Sequence, residues 1–202
     1  KYETGPIQVN TYLAYDLESK KGFIVDPGGY STQLTNKINE LGLTIEYIVL
    51  THGHGDHIGG VDDYLNKFTN VKLVAYKDEK EMLSNGEINA SVELFGKPIT
   101  LKPDLYVSEN DTLNIGNMEL HFIFTPGHTK GGMCIAVDNY LFSGDTLFCQ
   151  SVGRTDFYGG STEELIKSIK NKLFILPDDT IVLPGHMEAT SIGSEKRSNP
   201  FV

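Results

Sequence analysis

The ten residues THGHGDHIGG at positions 51–60 constrain this chain more than any other part of its sequence. They place three histidines and an aspartate within six residues, directly after the largely apolar run 45–50. A buried strand that ends in such a cluster delivers several metal ligands to one point. His52 and His54 stand two apart on extended backbone and project to the same side, whereas the aspartate and the third histidine lie beyond the turn. This arrangement suits two adjacent metal ions better than one.

Three further short apolar runs end in a glycine-containing turn that carries one ligand-type side chain. His128 stands in TPGHT, Asp145 in SGDT and His186 in PGH. One such residue alone is more often an ordinary surface or core residue than a ligand, because a single motif match is weak support. Four strand ends with the same pattern favour a common site. Together they give seven candidate metal ligands: His52, His54, Asp56, His57, His128, Asp145 and His186.

Strand and helix patterns alternate along the chain, which at 202 residues has the length of one domain. Strand-like runs recur at 11–15, 22–25, 47–50, 72–75, 119–124, 133–137, 140–143 and 181–183. Helical periodicity occurs at 31–41, 60–68, 78–83 and 162–173. Two mixed sheets packed face to face, with helices outside, is the natural layered solution. The sequence therefore predicts a single α/β domain over residues 1–202.

Residues 84–104 form the least regular part of the chain. Asn85, Gly86 and Gly96 interrupt any periodic pattern, while scattered apolar residues provide anchors. Long irregular segments in compact domains are often functional. We therefore leave two interpretations open for this segment, a plain surface loop and a wall or lid for a substrate.

Charge and composition exclude several classes of partner. The chain carries 17 lysine and arginine residues against 27 aspartate and glutamate residues, a formal net charge of −10. Because phosphate binding relies on clustered cations, we expect no nucleic-acid partner. No apolar run approaches the roughly 18 residues of a membrane span, and the two cysteines form no disulfide framework. We expect a cytoplasmic protein with no membrane partner, and leave a homodimer open.

The ligand motifs THGHGDH, TPGHT, SGDT and PGH resemble those of the metallo-β-lactamase superfamily. Within it they are most similar to the glyoxalase II-like (hydroxyacylglutathione hydrolase-like) hydrolases. IVDPGG at 24–29, GRTD at 153–156 and EKRSNPF at 195–201 extend the resemblance over residues 7–201. It implies a four-layer αββα sandwich with the metal ions at one edge. It also implies two ligand sets bridged by Asp145: His52, His54 and His128 for one ion, and Asp56, His57 and His186 for the other.

The resemblance implies that a hydroxide shared by two divalent ions attacks a thioester such as S-2-hydroxyacylglutathione. Asp56 would orient this hydroxide in addition to binding metal. Imidazole with a few carboxylates suits Zn²⁺, although iron and manganese accept the same ligands. Two alternatives stay open: a mononuclear-iron persulfide dioxygenase, whose family shares the GRTDF found at 153–157, and a non-enzymatic metal-binding protein. A β-lactamase is disfavoured, because those enzymes replace ligands found here, often by cysteine.

Five polar residues are expected to support the ligands without binding metal themselves. Thr51 and Thr129 are predicted to hold histidine rings, and Thr146 to hold the bridging aspartate. Arg154 and Asp156 are interpreted as an ion pair that braces a loop, the alternative being that the arginine contacts an anionic substrate.

Two departures from the glyoxalase II pattern leave the substrate open. Full-length glyoxalase II enzymes carry a C-terminal helical domain that supplies much of the glutathione-binding surface, and we expect this chain to lack it. In addition, Met187 stands directly after the last ligand, where the family usually has glycine. We therefore expect the rim of the substrate pocket to differ at this position.

Overall fold

The computed structural model describes all 202 residues and contains two six-stranded sheets and a small hairpin. The first sheet has the spatial order β1 (Tyr2–Thr4), β2 (Val9–Tyr15), β3 (Lys21–Val25), β4 (Thr44–Val49), β5 (Lys72–Tyr76) and β6 (Leu105–Val107). The second has the order β7 (Thr112–Ile115), β8 (Met118–Phe124), β9 (Met133–Val137), β10 (Tyr140–Gly144), β13 (Ile181–Pro184) and β14 (Thr190–Ser191). The hairpin consists of β11 (Leu147–Phe148) and β12 (Ser151–Val152).

Both sheets are mixed, as the alternation of strands and helices predicts. Strands β3 to β6 are parallel, and β1 and β2 add an antiparallel edge. Strands β7 to β10 form an antiparallel meander, and β13 pairs parallel to β10. Parallel neighbours run in one direction, so their carboxyl ends meet at the same edge. This geometry brings the turns after β10 and β13 together.

Seven α-helices connect or cover the sheets. They are α1 (Thr32–Leu41), α2 (Gly55–Ile58), α3 (Val61–Lys67), α4 (Lys80–Leu83), α5 (Ser91–Phe95), α6 (Thr162–Ser168) and α7 (Ile192–Ser198). A 3₁₀ turn at Lys77–Glu79 precedes α4, and a π-helical turn at Ile169–Leu173 extends α6. Serine hydroxyls cap α1 and α6, where Ser31 and Ser161 each accept a hydrogen bond from a backbone N–H of the first turn.

Alternation along the strands sorts the apolar side chains into three layers. In β3, Phe23 belongs to the layer between the two sheets, whereas Ile24 packs with residues of α1 and α3. In β9, Ile135 faces the first sheet, whereas Cys134 packs with residues of α6 and α7. Successive strand residues point to opposite faces, so each central strand is buried on both. The predicted four-layer αββα sandwich is confirmed.

The long elements follow the sequence prediction, and the short ones do not. Each predicted strand and helix overlaps an observed one. The strands β1, β6, β7, β11, β12 and β14, each of two to four residues, escaped prediction because so few residues show no clear period. Helices α2, α5 and α7 were also missed. No helix combines the length and the apolar character that crossing a lipid bilayer requires.

Candidate metal centre

Four strand ends bring the seven predicted ligands together at one edge of the sandwich. The turn after β4 and the first turn of α2 supply four of them, and the turns after β8, β10 and β13 supply one each. All seven lie within a few ångströms of another member, in two groups of three joined by an aspartate. We call these groups the imidazole triad (His52, His54 and His128) and the carboxylate triad (Asp56, His57 and His186).

The imidazole triad is a buried cluster of three ring nitrogens. The Nε2 atom of His128 lies 2.9 Å from Nδ1 of His54 and 3.2 Å from Nε2 of His52. Burial and the neighbouring histidines lower the pKa of all three rings, that of His54 to about 3. The rings are therefore neutral near pH 7, with lone pairs that face one another. Such a cluster is matched by a cation that the three nitrogens share.

The carboxylate triad is charged and lies closer to solvent. The Oδ2 atom of Asp56 lies 3.0 Å from Nε2 of His186 and 3.4 Å from Nε2 of His57. Burial opposes protonation of His57, but the carboxylates of Asp56, Asp145 and Asp26 outweigh it and raise its pKa well above the usual value. Burial likewise opposes ionisation of Asp56, yet the adjacent histidines lower its pKa.

Asp145 lies between the two triads. Its Oδ1 is 3.3 Å from Nε2 of His57, and its Oδ2 is 3.7 Å from Nε2 of His128. Burial alone would raise the pKa of this carboxyl. The nearby histidines lower it by a larger amount, so the group is ionised. Its Oδ2 also lies 3.8 Å from Nε2 of His186, so the carboxylate borders both triads, as a bridging ligand would.

Unpaired buried atoms at the junction of the two triads fit a divalent metal ion. Four buried side-chain nitrogen or oxygen atoms in the chain lack a hydrogen-bond partner, and three belong to this cluster: His54 Nε2, His57 Nε2 and Asp145 Oδ1. Buried polar atoms are nearly always satisfied, and their concentration at one point indicates a missing partner. A divalent cation would satisfy His57 Nε2 and Asp145 Oδ1, whereas His54 Nε2 is the ring nitrogen opposite the Nδ1 that faces the imidazole triad.

Asp26 orients the carboxylate triad, and sequence reasoning gave it no role. Its Oδ2 accepts hydrogen bonds from Nδ1 of His57 at 2.9 Å and from the hydroxyl of Thr51 at 2.5 Å, and its Oδ1 accepts one from the Thr51 N–H. The Thr51 hydroxyl also lies 3.1 Å from Nδ1 of His52. The sequence did contain a signal for Asp26. It follows a short apolar run and precedes a glycine-containing turn, in IVDPGG, which is the pattern of the four strand ends that carry the predicted ligands.

A backbone carbonyl fixes the ring of His128. Its Nδ1 donates a hydrogen bond to the carbonyl of Arg154 at 2.6 Å, which turns Nε2 toward the rest of the triad. The Arg154 guanidinium forms two hydrogen bonds to the carboxylate of Asp156, at 2.9 and 2.7 Å. The structure thus contains the ion pair that the sequence analysis favoured, in the loop beside His128.

Glu79 joins the two loops that carry the imidazole triad, and the sequence gave no signal for it. Its buried carboxylate accepts hydrogen bonds from the N–H of Gly53 at 2.8 Å, the N–H of Gly131 at 2.9 Å and the hydroxyl of Thr129 at 2.5 Å. Burial raises the pKa of Glu79, and these three donors oppose that shift. The Thr129 hydroxyl therefore donates its hydrogen bond to Glu79. The sequence analysis had expected it to hold a histidine ring.

Thr146 does not have the contact that was expected of it. The Thr146 hydroxyl lies 3.1 Å from the hydroxyl of Thr125 and forms no hydrogen bond with Asp145, so the expected support of this aspartate is not formed.

Gly185 is required by close approach, because a Cβ there would collide with Oδ1 of Asp145 and lie 2.6 Å from the His57 ring. The sixth histidine, His121, is exposed on β8, outside both triads.

A cleft of about 630 Å³ opens above the two triads. Five of the predicted ligands form its base: His54, Asp56, His128, Asp145 and His186. Its walls are Ile7, Ala90, Glu93, Leu94, Phe148, Ser151, Val152, Arg154, Phe157 and Met187. Three of these wall residues come from the irregular segment 84–104, which favours the wall interpretation over a plain surface loop. A concave site with converging polar groups at its base is typical of a small-molecule site.

Comparisons with known proteins agree with this geometry. The family model of the metallo-β-lactamase superfamily matches residues 4–186. The chain is 40% identical over 201 residues to the probable metallo-hydrolase YqgX of Bacillus subtilis (strain 168), covering 98% of this chain and 94% of that protein. It is 38% identical over 200 residues to hydroxyacylglutathione hydrolase GloC of Haemophilus influenzae, with 96% and 93% coverage. Among solved structures, the BLEG-1 B3 metallo-β-lactamase is 40% identical and superimposes with a TM-score of 0.91, with 99% and 97% coverage.

Proposed function

The chain belongs to the metallo-β-lactamase superfamily, and from that premise we propose that it is a dinuclear metal-dependent hydrolase that cleaves thioesters, S-2-hydroxyacylglutathione among them. The observation that carries the proposal is the pair of triads on either side of Asp145 at the base of an open cleft. The similarity to a protein named hydroxyacylglutathione hydrolase supports the thioester class. The unpaired ring and carboxylate atoms support the metal dependence.

The proposal assigns one ion to each triad. The imidazole triad would hold the first, the carboxylate triad the second, and Asp145 would offer one oxygen to each. When bound, such ions lower the pKa of a shared water and polarise a substrate carbonyl oxygen. Zinc is the metal we expect, and iron or manganese would fit the same donors.

The chain's own residues supply the remaining chemistry. Asp56 belongs to a triad and lines the cleft, so we assign it to orient the attacking water by accepting a hydrogen bond from it. No lysine, tyrosine or cysteine lines the cleft, so side chains suited to protonating a basic leaving group are scarce. A thiolate leaves without full protonation because thiols have a pKa of about 8.5. The composition of the cleft therefore matches thioester hydrolysis.

β-Lactam hydrolysis is the second candidate, because the BLEG-1 B3 metallo-β-lactamase is 40% identical over nearly the whole chain. The same base of the cleft would serve attack on a lactam carbonyl. An amide nitrogen, however, is a far more basic leaving group than a thiolate and requires a proton. Asp56, which we assign to the attacking water, would then also have to deliver that proton, whereas a thiolate does not require it, which is why we place thioesters first.

Elemental analysis combined with two assays tests the proposal. We expect about two transition-metal ions per chain, and turnover of S-lactoylglutathione that exceeds turnover of a cephalosporin by orders of magnitude. His121→Ala is the control, because that histidine is exposed and outside both triads. One iron per chain, with oxygen consumption on glutathione persulfide, would replace the hydrolase by a dioxygenase. Full metal loading without turnover of any substrate would favour a non-enzymatic metal-binding protein.

A further inference from the structure

We propose that the cleft selects thioesters whose thiol portion is uncharged and largely apolar over thioesters whose thiol portion is anionic. The inference rests on the proposed thioesterase function and names the substrate class of that site. Two independent features of the walls carry it. One is an apolar surface assembled from several separate segments, and the other is the absence of a net positive charge.

The apolar wall is assembled from segments that are distant in sequence. It consists of Ile7, Leu94, Phe148, Val152, Phe157 and Met187. Three of its members, Ile7, Phe157 and Met187, are also among the ten large hydrophobic residues that the chain exposes. Exposed apolar side chains gathered around one cleft indicate a binding surface, because scattered ones need no explanation and clustered ones do. Such a surface binds an uncharged, largely apolar group best, because contact removes apolar area from water.

Met187 adds to this wall in spite of its backbone. Its φ of +68° lies in the left-handed region, which costs an L side chain on the order of 1 kcal/mol relative to glycine. The Asn10 side chain donates hydrogen bonds to the carbonyls of Pro184 and Met187, both at 2.9 Å, and so holds the turn in place. The Met187 side chain, 56% exposed, lines the cleft and adds apolar surface where a glycine would add none.

The walls carry no net positive charge with which to attract an anionic thiol portion, because Asp156 balances the charge of Arg154 and Glu93 also lines the cleft. Arg154 is the one lysine or arginine among the lining residues, and its Nε and Nη2 are both bound to the carboxylate of Asp156. Its guanidinium also lies 4.2 Å from the ring centre of Phe157. Glu93, exposed on the same rim, adds a negative charge and has no ion-pair partner within 4.0 Å. Bound metal ions would act at the base, where the carbonyl reacts, and the thiol portion would extend along the walls.

The test compares two thioesters of the same acid, S-lactoylglutathione and S-lactoyl-N-acetylcysteamine, whose thiol portion is uncharged. We expect kcat/KM to be about tenfold or more higher for the uncharged thioester. Met187→Lys places a cation on the wall at an exposed position. Ile175→Lys, 75% exposed and outside the cleft, is the control with the same change in net charge. Met187→Lys should shift the ratio toward glutathione by about three- to tenfold, and the control should leave it unchanged.

The change in the ratio between variants is independent of leaving-group reactivity, because each substrate keeps its own thiol. Dissociation constants of the matching thioethers, in which a methylene replaces the carbonyl, should follow the same order. A wild-type preference for the glutathione thioester, or equal ratios in both lysine variants, would overturn the inference and leave the thioesterase proposal intact. Failure of a fully metallated enzyme to hydrolyse either thioester would overturn both.

Discussion

The two triads use different physical means to prepare a metal site. The imidazole triad is buried and neutral, because burial and mutual repulsion lower the pKa of its three rings. The carboxylate triad is charged, with Asp56 ionised and the pKa of His57 raised by surrounding carboxylates. His186 in this second triad is also partly exposed to the cleft.

This difference in charge determines how strongly each triad depends on the groups that position its side chains. Neutral rings attract a cation weakly at long range, so the imidazole triad depends on exact placement by groups behind it, such as Glu79 and the Arg154 carbonyl. The carboxylate triad has charge of its own and attracts a cation at longer range, although Asp26 orients its His57 ring. Asp145 is the one residue that faces both.

Asp145→Ala should have the largest effect, because it removes the carboxylate that separates the two proposed cations. We expect metal content to fall below two ions per chain and thioester turnover to drop by several orders of magnitude. The fold should survive, since the apolar layers lie elsewhere, and circular dichroism would show this. His121→Ala should leave metal content unchanged. A fully metallated and active Asp145→Ala protein would exclude the bridge.

Glu79→Ala should affect the imidazole triad selectively. It leaves three donors without an acceptor in a buried position, which we expect to lower the free energy of unfolding by about 3–5 kcal/mol. The affinity for the more weakly bound of two ions should fall by roughly 10- to 100-fold, measured by titration of the metal-free protein. Glu81→Ala is the matched control, because Glu81 lies two residues away in an exposed ion pair with Lys130. Equal affinities in the two variants would contradict the positioning role.

Glu79 also shows where sequence reasoning stops. The seven proposed ligands could be located because each follows a short apolar run in a glycine-containing turn, a pattern that is local in the chain. Glu79 lies in the charged stretch KDEKE, which looks like an ordinary solvated surface. Its burial depends on loops at positions 53 and 129–131 that meet it only after folding. No local pattern encodes that meeting.

The same division applies to the fold. Strands β3, β4, β9 and β10 are buried on both faces and read as strong apolar runs, so the two sheets and the four layers could be predicted. The apolar wall could not, because its residues stand in separate turns and short elements, among them Ile7, Leu94 and Val152. Their proximity follows from the packing of the sheets, and nothing in their local sequence distinguishes them from ordinary loop residues.

Acid should destabilise the metal-free protein through the imidazole triad. The pKa values of its rings are lowered on folding, so below about pH 6.5 the unfolded chain binds protons that the folded chain does not. Stability should therefore fall as pH drops from 7 to 5, by up to about 1.4 kcal/mol per pH unit for each such histidine. The raised pKa of His57 acts in the opposite direction: its contribution is present below about pH 6.5 and is lost as pH rises through the folded-state pKa.

Chemical denaturation after chelation, at several pH values, measures this slope. His54→Ala should reduce the slope by the share of one histidine, and His121→Ala should leave it unchanged because that ring is exposed and lies outside the triads. A free energy of unfolding that stays constant from pH 7 to 5 would contradict the picture of a dry, neutral imidazole triad.

Arg154→Ala should have the smallest effect and separates backbone from side-chain support. The carbonyl of Arg154 holds the ring of His128, and that carbonyl remains in the variant. The lost ion pair with Asp156 is exposed, and such pairs contribute about 0–1 kcal/mol. We therefore expect unchanged metal content and a loss of less than about 1 kcal/mol of stability, measured by elemental analysis and denaturation. Loss of one ion in Arg154→Ala would show that the loop conformation depends on the ion pair, and that the imidazole triad is held by side chains as well as by the backbone.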